Sequence, residues 1–186
     1  MIEITERTAK LPGAAERFVL HWGDMGGQWG VNRSISQIHA LLYLSERPRT
    51  AEDIAAVLGL ARSNVSTSIR QLVAWNLIRR VPVKGDRREH FEAETDVWEI
   101  AMRIAAVRKE REIDPAVETL RACVADAERD SKLHPVVRKR LNDMLAFVET
   151  LDRWYMQMLT VPKPKLAALI RLGTRIVGLL PLGKQK

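Results

Sequence analysis

Cysteine is almost absent from this 186-residue chain: Cys123 stands alone, so no intrachain disulfide can form. The first ten residues, MIEITERTAK, lack the apolar core of a secretory signal, and the expected compartment is therefore a reducing cytoplasm. Long apolar runs are missing too. A membrane span needs about 18 uninterrupted apolar residues, and the nearest stretch, Leu166 to Leu182, is broken by Arg171 and Arg175. The histidines His21, His39, His90 and His134 lie far apart, and none has ligand spacing with the cysteine, which argues against a structural metal. No nucleophile elbow, phosphate loop or zinc-protease string occurs, and Gly26-Gly27 falls within a helical pattern. No catalytic residue, metal or cofactor is expected, and the chain does not read as an enzyme. Acidic residues are the minority charge, 23 against 30 basic ones; the net charge of +7 attracts polyanions such as nucleic acid or anionic lipid.

What is present describes a folding chain. Hydrophobic residues make up 46% and charged residues 28%, within the range of soluble globular proteins. Between Pro12 and Gly30, Phe18, Trp22, Met25 and Trp29 share one helical face. Ser34, with Gln37 three positions on, is expected to open a second helix through a capping box, with Ile35, Ile38, Leu41 and Leu42 buried and Pro48 beyond its end. Thr50 and Asp53 cap a third, AEDIAAVL, which Gly59 terminates. So short a helix needs a partner, and RSNVSTSIRQLVAWN, with Val65, Ile69, Leu72 and Val73 inward, supplies it. Two such helices joined at Gly59-Leu60-Ala61 have the spacing of a helix-turn-helix.

The period then changes to two. Arg79, Val81 and Val83 alternate with Arg80 and Pro82, Lys84-Gly85-Asp86 turns, and His90 to Ala93 returns as a second strand, making a wing. Asp96 caps a run to Glu112, Asp114-Pro115 is expected to start another helix, and Pro135 a third. In this last helix Val137, Leu141, Met144, Val148, Leu151, Tyr155 and Met158 repeat with heptad spacing. The seam suits an antiparallel partner in the same chain or a two-fold dimer mate equally well. Pro162 and Pro164 set off a basic amphipathic tail, whose packing on its own dimer is preferred over an anionic membrane. The fold class is mainly α with a small β-wing, a winged helix-turn-helix plus a helical dimerisation region. Four parts are expected: an N-terminal helix at 1–33, flanking a dimer or ligand; the DNA-binding domain at 34–94; dimerisation helices at 95–160; and the tail at 161–186.

With Val65 at the centre of the buried face, Ser63, Thr67, Arg70 and Ala74 fall on the opposite side, flanked by Asn64, Ser66 and Gln71. Small hydroxyls and amides let a helix enter a major groove of about 12 Å, where they and a guanidinium meet base edges or phosphates. Between Arg62 and Phe91 stand Arg62, Arg70, Arg79, Arg80, Lys84, Arg87 and Arg88 against Asp86 and Glu89, so most of the net positive charge is concentrated here. Lys84, Arg87 and Arg88 decorate the wing tip, where an arginine can enter a narrow minor groove, and Asp86 can orient a guanidinium. The candidate DNA-binding residues are Arg62, Ser63, Asn64, Ser66, Thr67, Arg70, Lys84, Arg87 and Arg88. The alternative readings are a protein-interaction module with a solvated basic face, or an architectural DNA binder.

The strings LGLARSNVSTSIRQL and KGDRREHFEAETDVW resemble the MarR superfamily, and more closely its GbsR-type branch. The similarity runs from about Phe18 to Glu112 and includes WGVNRSISQIHALLYL, Phe91-Glu92-Ala93-Glu94 and Asp96. Asp86 and Arg88 match the family's wing pattern; the leucine-threonine pair that often follows is absent. The resemblance implies a homodimer on pseudo-palindromic double-stranded DNA, often a repressor, with a small effector between the DNA-binding lobe and the dimerisation helices. Relatives of this branch act on glycine betaine uptake or synthesis and sense choline. Such a quaternary ammonium lacks N–H donors and needs aromatic faces, for which Trp22, Trp29, Tyr43 and Trp98 are candidates, although aromatics at helical spacing are more often core. Cys123 reads as a small hydrophobe.

Overall fold

A computed structural model of the chain describes residues 11–173 and Arg175. It divides into two compact units at Ile104/Ala105.

The first unit begins with helix α1, Gly13–Gln28. Its most buried positions are Val19, Gly23 and Gly26; Phe18, Trp22 and Met25 are half-buried, and Trp29 is 55% exposed. The face expected from the large apolar residues is therefore turned. The reason is close approach to helix α2, Arg33–Tyr43: a Cβ on Gly26 would lie 1.9 Å from Ser36 Oγ, and one on Gly23 would lie 2.5 Å from Gln37 Cγ. The expected Ser34/Gln37 capping box does not form. Asn32 is the cap, its side chain accepting from Ser34 N at 2.8 Å, because an asparagine one residue before the helix serves as well as a serine. The Ser34 hydroxyl and Gln37 are left for tertiary contacts.

Strand β1 is only Arg49–Thr50, too short to show a period and unforeseen in sequence. Thr50 then caps helix α3, Ala51–Leu58: it accepts from Asp53 N at 3.1 Å while Asp53 accepts from Thr50 N at 3.2 Å, and Gly59 closes the helix at φ 64°. Helix α4, Arg62–Ala74, buries Val65, Ile69 and Leu72 against this framework. Strands β2, Ile78–Val83, and β3, Asp86–Ala93, pair antiparallel, and β1 adds to the far side of β3. Pro82 lacks an N–H, and the register shifts between Val81 and Val83. Ile38, Leu41, Ile54, Val65 and Leu72 are the fully buried centre.

Helix α5, Val97–Arg108, starts where Asp96 accepts from Trp98 N and Glu99 N. A π-helical turn at Lys109–Ile113 leads into helix α6, Asp114–Arg129. α6 starts at Asp114 with Pro115 in its first turn, as expected, but without a break before it: Ile113 keeps helical angles, φ −82° and ψ −49°. A π turn already displaces the hydrogen-bond ladder, so a residue without an N–H fits there.

In the second unit α6 packs against helix α7, Pro135–Thr160, as an antiparallel hairpin. Arg121 reaches Glu149 at 2.9 Å, and Lys109 joins Asp152 at 3.0 Å as well as Asp114. Along the heptad seam Leu141, Val148, Tyr155 and Met158 are half-buried, while Val137, Met144 and Leu151 remain exposed beside Phe147 and Trp154. Helix α8, Lys163–Leu172, follows; the tail residues 176–186 lie outside the described part. Among the described residues no helix is long and apolar enough to cross a membrane.

His39 on α2 is 4% exposed, and its Nε2 has no hydrogen-bond partner. Burial holds it down to about 4 from 6.5, so the folded chain keeps it neutral where the unfolded chain would take a proton. Its contribution is therefore constant above about pH 6.5 and turns unfavourable as pH falls toward 4, by roughly 3 kcal/mol in all. Denaturant unfolding should show His39→Leu losing about 2 kcal/mol less stability than the wild type between about pH 7 and pH 5; equal losses would contradict this.

Candidate nucleic-acid interface

Burial of one stripe of α4 turns its other side to solvent. Ser63, Ser66, Thr67, Arg70 and Gln71 are all exposed, and Arg70 donates from Nη2 to Thr67 Oγ1 at 3.1 Å, which steadies its long side chain along the helix. Arg62 lies exposed at the first turn. Asn64 has a different position. It is half-buried, its Nδ2 donates to Ser34 Oγ at 2.8 Å, and its Oδ1 accepts from the buried Ser68 hydroxyl at 3.3 Å. Asn64 thus ties α4 to α2 and is not one of the groups presented outward.

The wing is organised by Asp86. Its carboxylate accepts from Arg88 Nη2 at 2.6 Å, from Arg88 Nε at 3.0 Å and from Arg88 backbone N at 2.9 Å. Hydrogen bonds from Arg88 hold this carboxyl far below the usual carboxylate range, and the same pairing raises Arg88. The Arg88 side chain stays 58% exposed, so it is aimed without being covered. Lys84 and Arg87 are exposed, with no ion-pair partner among the described residues.

A cleft of about 390 Å³ joins these elements, lined by Ser66, Ile69 and Arg70 of α4, Ala51 and Glu52 of α3, and Arg80, Arg88, Glu89 and Phe91 of the wing. The exposed face of α4 and the wing guanidinium therefore border one space. Arg80, paired with Glu89 at 3.2 Å, is the residue that sequence reasoning left out of the site. Its signal was phase: adjacent strand residues point to opposite faces, and Arg79 is instead occupied by Glu92 at 2.6 Å.

The aromatic candidates do not all gather. Trp22 stacks on Phe18 at 5.4 Å between ring centroids, and Tyr43 lies 6.4 Å from the same ring, so Phe18 links two of them against the core. Trp29 stands 55% exposed at the end of α1 and Trp98 37% exposed in the first turn of α5. Cys123 is exposed rather than sequestered as a small hydrophobe, and among the described residues no group of three or more His, Cys, Asp or Glu side chains could hold a metal.

Helices α3 and α4, the β2–β3 hairpin behind them and the short β1 beside it make a winged helix-turn-helix. Residues 29–89 match the MarR family model, the family that the sequence strings resemble. The chain is 23% identical over 142 residues to the HTH-type transcriptional regulator MmpR5 of Mycobacterium tuberculosis, covering 73% of this chain and 82% of that one. It is 22% identical over 101 residues to the HTH-type transcriptional repressor GbsR of Bacillus subtilis, covering 54% and 56%. The chain spans only about half to two thirds of the length of several relatives it matches. A solved structure described as a transcriptional regulator shares the fold at a TM-score of 0.61 with 18% identity, over 78% of this chain and 95% of that one. These relatives are named as transcriptional regulators or repressors.

Asn64→Ala should lower stability by about 1 to 2 kcal/mol, since it leaves Ser34 and Ser68 without their partner. Ser66→Ala, on the exposed side, should stay within about 0.5 kcal/mol. Denaturant titration of the two variants measures both, and equal losses would remove the distinction between staple and outward face.

Proposed function

We propose that the chain is a sequence-specific, double-stranded DNA-binding transcriptional regulator. The observation that carries this reading is the single cleft shared by the polar face of α4 and the wing guanidinium. In it, α4 enters the major groove with Ser63, Ser66, Thr67 and Arg70 toward base edges, and the wing carries Arg87 and Arg88 toward the adjacent minor groove. Arg62 and Lys84 neutralise phosphates. Asp86 holds the Arg88 guanidinium, fixing a side chain that would otherwise lose rotamer freedom on binding. Asn64 serves DNA recognition indirectly, by fixing the rotation of α4.

The finer reading is an effector-responsive repressor of the GbsR-type branch, acting as a homodimer. Residues 34–94 are its DNA-binding domain and residues 95–160 its dimerisation region. Support for the dimer is the exposed series Met144, Phe147, Leu151 and Trp154, spaced three and four apart on α7; an apolar stripe of this kind favours a partner helix. The repressor sense draws on the similarity to the Bacillus subtilis transcriptional repressor GbsR. A quaternary ammonium effector such as choline or glycine betaine draws on the aromatic group Phe18, Trp22 and Tyr43, with Trp29 and Trp98 outside it.

Selection from a random duplex pool should recover a two-fold sequence bound by two chains. Its affinity should fall steeply with salt, and Arg88→Ala should weaken it roughly tenfold without unfolding the chain. Binding without sequence preference would favour an architectural protein, and affinity for neither duplex nor single strand would favour a protein-interaction module. Calorimetry with choline and with glycine betaine should release or absorb heat for at least one; silence from both removes that effector class.

A further inference from the structure

His90 sits behind the wing tip on the same strand as Asp86 and Arg88, and is 6% exposed. Its Nδ1 lies 2.9 Å from the backbone oxygen of Arg88, and its Nε2 lies 3.5 Å from Asp86 Oδ2. Both partners are acceptors. A neutral imidazole has one N–H and one lone pair, so either neutral tautomer points a lone pair at an oxygen. With the proton on Nδ1, the Nε2 lone pair faces a carboxylate; with the proton on Nε2, the Nδ1 lone pair faces a carbonyl at hydrogen-bond distance. Only the doubly protonated ring donates to the carbonyl and meets the carboxylate as a cation.

Among the described residues no other acid lies within ion-pair distance of this ring. The remaining charged and titratable groups on the elements around β3 are engaged elsewhere or placed on other neighbours. Arg49 of β1 donates to Ser45, and Arg79 and Arg80 of β2 pair with Glu92 and Glu89. Asp53 caps α3, and both it and Glu52 act on Arg88. On α2, Arg33 pairs with Asp24, Tyr43 lies beside Phe18, and His39 is buried and neutral. Thr50 and Val81, the residues opposite His90 on the two neighbouring strands, are uncharged.

We propose that His90 is the positioning residue of the wing: carrying two protons, its ring draws the Arg88 carbonyl and the Asp86 carboxylate together and so presents the Arg88 guanidinium to duplex DNA. The inference rests on the DNA-binding reading above and adds proton control to it. Loss of one proton from His90 sets a lone pair against an oxygen, loosens the Asp86 grip on Arg88 and weakens binding. His90→Asn retains a donor near the Nδ1 position and His90→Gln one near Nε2, and neither changes charge with pH.

Two measurements test it at constant ionic strength. First, the affinity of the full chain for the selected duplex should fall several-fold as pH is raised far enough for the His90 ring nitrogens, followed by NMR, to lose a proton, while His90→Asn and His90→Gln lose most of that difference. An unchanged wild-type affinity, or the same pH dependence in both variants, overturns the proposal. Second, in the DNA-free wild type, nitrogen NMR should show the Arg88 Nε resonance shifting with the same midpoint as the His90 ring nitrogens; an Arg88 signal indifferent to His90 overturns it without any variant having to fold. If the chain binds no duplex at any pH while Arg88 follows His90, the DNA-binding reading falls and the positioning of Arg88 stands.

Discussion

The burial of Val65, Ile69 and Leu72 sets the rotation of one 13-residue helix, and the candidate interface depends on that rotation. An α-helix of this length has a single apolar stripe, and removing it from water dictates which side faces out. A turn of one residue, about 100°, would bury Ser66 or Arg70 and bring apolar side chains to the surface. Hydrophobic burial is not directional about the last few tens of degrees, and here directional bonds complete the setting. Asn64 links Ser34 of α2 to Ser68 of α4, so the helix is held by hydrogen bonds on the flank of its apolar stripe.

The wing solves a different problem. A two-stranded ribbon projecting from a domain has little core of its own, and the long cations at its tip would be freely mobile. β1 adds a third strand, and Thr50 serves both as the partner of His90 in the sheet and as the cap of α3. The start of α3 is thereby tied to the base of the wing. On the exposed side the Asp86 carboxylate confines one guanidinium among several. Exposed ion pairs contribute little to stability, so the value of this pair lies in where it aims a charge.

Elsewhere the chain uses close approach instead of large side chains. Gly23 and Gly26 bring α1 against Gln37 and Ser36 of α2 at distances that no side chain would allow. The large aromatics of α1 are displaced to the flanks, where Phe18 gathers Trp22 and Tyr43. In the second unit α7 meets α6 with one part of its apolar surface and leaves Met144, Phe147, Leu151 and Trp154 in solvent. A helix with apolar residues over so wide an arc is suited to more than one neighbour.

Much of this was written in local patterns. The Thr50/Asp53 box, the Gly59 stop, the stripe Val65-Ile69-Leu72 and the turn at Lys84-Gly85 each depend on residues within a few positions of one another, and such interactions survive translation into sequence. The basic charge of the wing was equally legible, because charge needs no partner to be counted. What only the tertiary structure decided are the features that join distant segments: the pairing of Arg49-Thr50 with Phe91 and His90, the glycine contact of α1 with α2, and the Ser34–Asn64 tie that withdraws Asn64 from the outward face. The continuation of helix through Pro115 belongs with them, since whether a proline breaks or bends a helix depends on the hydrogen bonds its surroundings still require. Periodicity reports which side of an element avoids water, and only packing decides what that side meets.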